Sequence, residues 1–151
     1  MGFRDELNPY SRRFADRLFA LYPQWEHLAK LEPWPNADPG CFLVEVSSPV
    51  DPERQLSVGT DGEEITVGFG PHGWHAHYGA WTGADEESSF VEALEEIAGI
   101  LEERLVVAVG TQDGQTGAST LIPAGEDPGL NGYDRIDYVS WRGSHDRSVP
   151  A

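Results

Sequence analysis

Two tight turns set between alternating runs constrain this chain more than any other feature. Asp61-Gly62 separates Gln55–Thr60 from Glu63–Phe69, and Asp-Gly between β-type runs is a strong hairpin signal. Gly70-Pro71-His72-Gly73 then separates Ile65–Phe69 from Trp74–Trp81. Glycine and proline there supply φ values that other residues reach only with strain. Cys41–Ser47, CFLVEVS, is apolar enough for a central strand, and Pro49-Val50-Asp51-Pro52 ends it. Residues 41–81 are therefore expected to form a four-strand antiparallel meander.

Upstream, Asn8-Pro9 or Ser11 opens a helix in which Phe14, Leu18, Leu21, Trp25 and Leu28 recur at three- or four-residue steps. Pro23 lacks an amide donor and disfavours helix at Tyr22, which predicts a break and a second short helix over Pro23–Leu31. Glu32–Gly40 holds three prolines and reads as a loop, with Trp34 a plug over the core in preference to a ligand-stacking ring. Downstream, Thr82–Asp85 starts a long helix with acidic residues in its first turn and Phe90, Leu94, Ile97 and Leu101 as its buried stripe. Arg104–Val109 reads as a strand, Gly110–Gly117 as a turn-rich link and Ser119–Pro123 as a short strand. Ala124–Gly132 follows as a loop, Arg135–Trp141 as an alternating strand and 143–151 as a tail. The expectation is one α+β domain over residues 1–151. It has a mainly antiparallel sheet, the meander plus about three further strands. The N-terminal helical segment (1–31) and the acidic helix (85–103) pack on one face. Which edge the strand after the second helix joins is left open.

Charge narrows the partners. The net charge is −16, yet residues 1–30 hold five Arg and Lys against four Asp and Glu, a local +1, which leaves −17 on the remainder. Such a body repels nucleic-acid phosphate and anionic lipid and attracts cations or basic protein surfaces. Plain solubility charge is the simpler explanation. Between Asp85 and Glu103 stand eight carboxylates and no basic residue, with Glu92, Glu95 and Glu96 at helical spacing. This is either a solvated helix or a docking face for something basic. The N-terminal MGFRDELNPYSRRF lacks the apolar run of a signal peptide, no stretch is apolar enough to span a membrane, and a single cysteine, Cys41, sits in an apolar run. Those features predict a cytoplasmic protein.

His72, His75 and His77 form the most site-like constellation. On a strand His75 and His77 project from one face, and His72 leans in from the turn. Three neutral imidazoles can hold zinc or a similar divalent metal, and an open position would make a metal-hydroxide centre. The simpler alternative is a polar strand side, with Trp74, Ala76, Tyr78 and Ala80 turned to the core. A recognition patch of His75, His77 and Trp81 is a third. Gly68-Phe69-Gly70 with Gly73 is no dinucleotide fingerprint, because a strand follows it. Ser144-His145-Asp146 are consecutive in a tail, whereas a catalytic triad is assembled in space by rigid elements. Trp141 and Arg142 close the last strand, either as a sheet cap beside a terminal ion pair or as partner contacts.

TDGEEITVGFGPHGWHAHYGAW, followed by an acidic helix, a VVAV strand and a closing YVSWRG strand, resembles the small bacterial immunity-type proteins encoded beside polymorphic or contact-dependent toxins. These families have diverse folds and no shared catalytic residues, so no residue role transfers. The resemblance implies a small cytosolic acidic domain that inhibits a toxin by binding it; the charge points to a basic partner, and the combined expectation is a non-catalytic inhibitor. Trp74, His75, His77, Trp81, Glu92, Glu95, Glu96, Trp141 and Arg142 are the candidate contacts. The alternatives are a small ligand-binding domain whose aromatic loops line a pocket, and a metal-dependent hydrolase using His72, His75 and His77.

Overall fold

A computed structural model describes residues 2–79 and 83–150 of the chain. It has two antiparallel sheets and two α-helices, an α+β architecture. The residues cluster into two compact units whose segments interleave along the chain. One holds Met1–Val46, Leu56–Gly68 and His75–Leu94, the other Ser47–Gln55, Phe69–Trp74 and Glu95–Ala151.

In the first unit, α1 (Pro9–Leu21) begins where the sequence indicates. Asn8 is its N-cap, its side chain accepting from the Ser11 amide at 2.8 Å, and Pro9 takes the first helical position, where no donor is needed. The helix stops at Tyr22, ahead of Pro23. A 3-10 turn spans Pro23–Leu28, but the expected helix to Leu31 is absent. Lys30–Leu31 instead form β1, paired antiparallel with β2 (Phe42–Ser47) through Lys30↔Leu43 and Leu31↔Phe42. So short a helix has little to propagate it, whereas the strand pairing satisfies the same backbone groups. Of the predicted stripe, Phe14, Leu18 and Trp25 are buried, whereas Leu21 and Leu28 are exposed. Within α1, Leu21 is 58% exposed, and Tyr10, Ser11, Phe14, Ala15, Leu18 and Phe19 are the residues buried.

β2, β3 (Gln55–Asp61), β4 (Glu64–Phe69) and β5 (Trp74–Gly79) extend the sheet in the order β1-β2-β3-β4-β5. The meander is as expected, except that Trp81 lies outside the described residues. Phe42, Val44, Leu56, Val58, Ile65 and Val67 are wholly buried. Phe14 of α1 stacks on Phe42, and Ser11 Oγ meets Thr60 Oγ1 at 2.6 Å, so these two buried hydroxyls satisfy each other. Phe90, from the first half of α2 (Glu86–Leu101), packs on Tyr10 and Phe14. The start of α2 is capped by Asp85, whose carboxylate accepts from Ser88 N at 2.7 Å. Glu86 and Glu87 are not left unneutralised. Arg13 grips Glu86 through two hydrogen bonds of 2.7 and 2.8 Å, and Arg17 reaches Glu87 at 2.9 Å.

Tyr10 carries a testable anomaly. Its hydroxyl is buried with no hydrogen-bond partner among the described residues. Burial first, then Glu86, Glu63 and Glu64, push its pKa from 10.0 up to about 12. A phenol whose folded pKa exceeds the unfolded one contributes stability that is complete below the unfolded value and is lost as pH rises through the folded one. An unsatisfied buried hydroxyl costs about 1–3 kcal/mol. Tyr10→Phe is therefore expected to stabilise by about 1 kcal/mol at neutral pH. It should also flatten the loss of stability between pH 10 and about 12, read from urea unfolding in both ranges.

The second unit contains a separate sheet, of order β7-β6-β8-β9. The strands after α2 thus join neither edge of the meander. β6 (Leu105–Gln112) and β7 (Gln115–Pro123) are one continuous hairpin where a link and a short strand were expected. Its turn is Asp113-Gly114, both at positive φ (52° and 76°), the geometry that two-residue hairpins favour. The Tyr133 ring lies against Gly110 and Gly117, where a side chain at either position would displace it. β8 (Arg135–Val139) pairs with β6. The expected tail supplies β9 (Arg147–Pro150), which pairs with β8 and lays the Arg147 guanidinium 4.3 Å from the centre of the Tyr138 ring. Val106, Ala108, Ile122, Ile136 and Tyr138 form the core on one side of this sheet.

Candidate functional site

The pleat of β5 separates its side chains. Trp74 is 8% exposed, whereas His75 and His77 are exposed on the opposite face. Leu43, Ser57, Asp61, Glu64 and Thr66 share that face at the alternate positions of β2, β3 and β4. His77 Nδ1 stands 2.6 Å from Glu64 Oε1 and 3.0 Å from Thr66 Oγ1. The two imidazoles meet edge to face, their centroids 5.1 Å apart.

Same-face spacing therefore does bring His75 and His77 together, but it does not complete a metal site. His72 occupies the exposed turn between β4 and β5, and His77 is engaged by Glu64 and Thr66. Among the described residues no group of three or more His, Cys, Asp or Glu side chains is arranged to hold a metal ion. The spacing left a metal centre at His72, His75 and His77 beside a plain polar strand side, and the exposed His75 and His77 fit the second.

Instead the face carries a pocket of about 160 Å³, lined by Trp34, Leu43, Ser57, Gly59, Thr60, Asp61, Glu64, Thr66 and His77. Trp34, expected as a plug over the core, is 37% exposed at its edge. Two turns fix the loop that carries it, Ala37 N donating to Trp34 O and Cys41 N to Asp38 O. Gly59 must remain small, since a Cβ there would come within 2.6 Å of the Phe42 carbonyl oxygen. Burial pushes the Asp61 carboxyl above the usual range, and the neighbouring Asp38 carboxylate pushes it further. Cys41 is buried, and its thiol is pushed up by burial, then by Asp61 and Glu32. It is no nucleophile.

The remaining candidates scatter. Trp141 is 6% exposed and packs against Phe69 in the second unit, so neither Trp74 nor Trp141 offers its indole to a partner. Arg142 is exposed, its amide held by Glu103 Oε1 at 2.8 Å. Glu92 and Glu95 are exposed on α2, while Glu96 is partly buried and its carboxyl is pushed up by that burial. Trp81 lies outside the described residues. No helix among the described residues is long and apolar enough to cross a membrane.

The chain matches no family model, no curated protein and no solved structure. Sequence reasoning missed Asp61, Glu64 and Thr66 as neighbours of the histidines. Counting outward in equal steps from the Gly70–Gly73 turn would have set Thr66 opposite His77, and the two side chains do meet at 3.0 Å.

Proposed function

We propose that this chain is a non-catalytic acidic binding protein of the cytoplasm, an immunity-type inhibitor that neutralises a basic toxin by direct contact. The observation that carries the reading is how its cations are disposed. Among the described residues, Arg4, Arg12, Arg13, Arg17, Lys30, Arg54, Arg104 and Arg135 each stand within 4.0 Å of a carboxylate of the same chain. Those eight leave only Arg142 and Arg147 of the ten Arg and Lys, against 26 Asp and Glu. The surplus carboxylates have no internal cation to meet, and a basic surface is the complement that would be steered to them.

Co-expression with a basic toxin domain of the polymorphic or contact-dependent type tests the reading. Wild type should restore growth and form a complex that weakens as salt is raised. Asp61→Lys/Glu63→Lys/Glu64→Lys should do neither while keeping its circular dichroism. Growth arrest that persists with wild type, with no complex at low salt, would sink the reading.

The partly exposed Trp34 at the pocket favours the small-ligand alternative as a second reading. In that case thermal stabilisation by a small molecule would appear with no protein partner.

A further inference from the structure

We infer that the pocket between Trp34 and the Asp61–Glu64 hairpin is a receptor for an arginine side chain of the protein partner. The inference rests on the basic-partner reading and narrows it to one place and one functional group.

Shape is the first argument. Gly59 leaves the sheet surface bare where its neighbours carry side chains, and Leu43, Ser57 and Thr66 surround that gap. The resulting hollow of about 160 Å³ suits one long side chain rather than a folded surface. Its glycine is not replaceable, because the Phe42 carbonyl lies where a Cβ would go.

The wall and the rim supply the chemistry. Trp34 is a half-buried indole at the edge of the hollow, and a planar guanidinium stacks on an indole face better than a hydrated ammonium does. Asp61 and Glu64 stand at the rim, and no Arg or Lys is among the residues lining the pocket. Asp38 stands beside Asp61 and adds a third carboxylate. Glu64 is oriented by His77 at 2.6 Å. A cation would relieve this crowding of like charge, while an anion would worsen it. An apolar group would desolvate the carboxylates and offer them no cation. Of the two protein cations, arginine alone offers both a flat face and a fork matched to a carboxylate.

Nuclear magnetic resonance on the full-length ¹⁵N-labelled chain tests this with three probes: N-acetyl-arginine amide, N-acetyl-lysine amide and N-acetyl-citrulline amide. Citrulline keeps the shape of arginine without its charge. The arginine probe should saturably shift one indole N–H, identified by its absence in Trp34→Phe, together with the Thr66 and His77 amides. A dissociation constant on the order of millimolar is expected for a single side chain. Lysine should bind more weakly, and citrulline should leave these signals unmoved. Trp34→Ala should weaken the arginine probe about three- to five-fold. Asp61→Asn, which keeps the side-chain shape, should weaken it similarly and guards against a folding defect in the tryptophan variant.

Equal binding of citrulline overturns the assignment. So do shifts that never saturate, or shifts unchanged in both variants. A toxin complex with unaltered affinity for Trp34→Ala refutes the pocket and spares the immunity reading. Saturable arginine binding without any protein complex does the reverse.

Discussion

Gly40→Ala is expected to destabilise the first unit by about 3 kcal/mol or more, measured by urea unfolding. Gly40 has φ +75°, which costs an L-residue about 1–2 kcal/mol by itself. The larger cost comes from its neighbour. A Cβ at Gly40 would press into the backbone nitrogen of Asn8 and reach 3.1 Å from both Asn8 Cα and Cβ. That same nitrogen donates to the Gly40 carbonyl at 3.0 Å, and Asn8 Nδ2 donates to the Pro39 carbonyl. Since Asn8 also caps α1, moving it away opens the loop contacts and the helix start together. Gly114→Ala separates the two effects. Its φ is +76°, yet nothing lies within 4 Å of the added carbon. It should cost only about 1 kcal/mol. Equal losses at the two glycines would show that the backbone angle alone matters and that the Asn8 contact is slack.

The second large effect is expected at Arg54, whose side chain is 12% exposed in the second unit. Its guanidinium donates to the Ser140 carbonyl at 2.6 Å and to both Asp146 oxygens at 2.8 and 3.2 Å. Asp146 in turn accepts from the Ser140 amide at 2.9 Å, and Ser140 Oγ accepts from the His145 amide. This network fixes the bend between β8 and β9, in the stretch expected to be a tail. Arg54→Ala removes the cation, leaving Asp146 with only its Ser140 donors and the Ser140 carbonyl with only the Gly143 amide. A loss of about 2 kcal/mol follows, below the range for breaking a fully buried pair because Asp146 is 37% exposed and keeps its Ser140 donors. Arg54→Lys should recover little of it, since an ammonium cannot span the carbonyl and both carboxylate oxygens. In a double-mutant cycle, Arg54→Ala/Asp146→Ala should cost less than the sum of the single variants. Strict additivity would mean that the two side chains do not act as a pair.

Much of the first unit is determined by the sequence itself. The Asn8-Pro9 helix start, the stop ahead of Pro23 and the turns at Asp61-Gly62 and Gly70–Gly73 are local events, decided by φ preferences and by missing or supplied donors within a few residues. The in–out alternation of β5 follows from its pleat. The hairpin at Asp113-Gly114 carried an equally local signal, obscured by the glycines and polar residues around it.

The tertiary structure decided what depends on distant partners. Lys30–Leu31 became a strand because β2 offered free backbone groups, and Arg147–Pro150 did so because β8 did. Arg13 and Arg17 neutralise the first turn of α2 from some 70 residues away, which no charge count along one helix reveals. Trp74 and Trp141 are buried while Trp34 stands at the pocket. The reason is common to all of these. Periodicity and turn chemistry specify which backbone shape a segment adopts. What a side chain faces depends on which surfaces long-range packing brings against it.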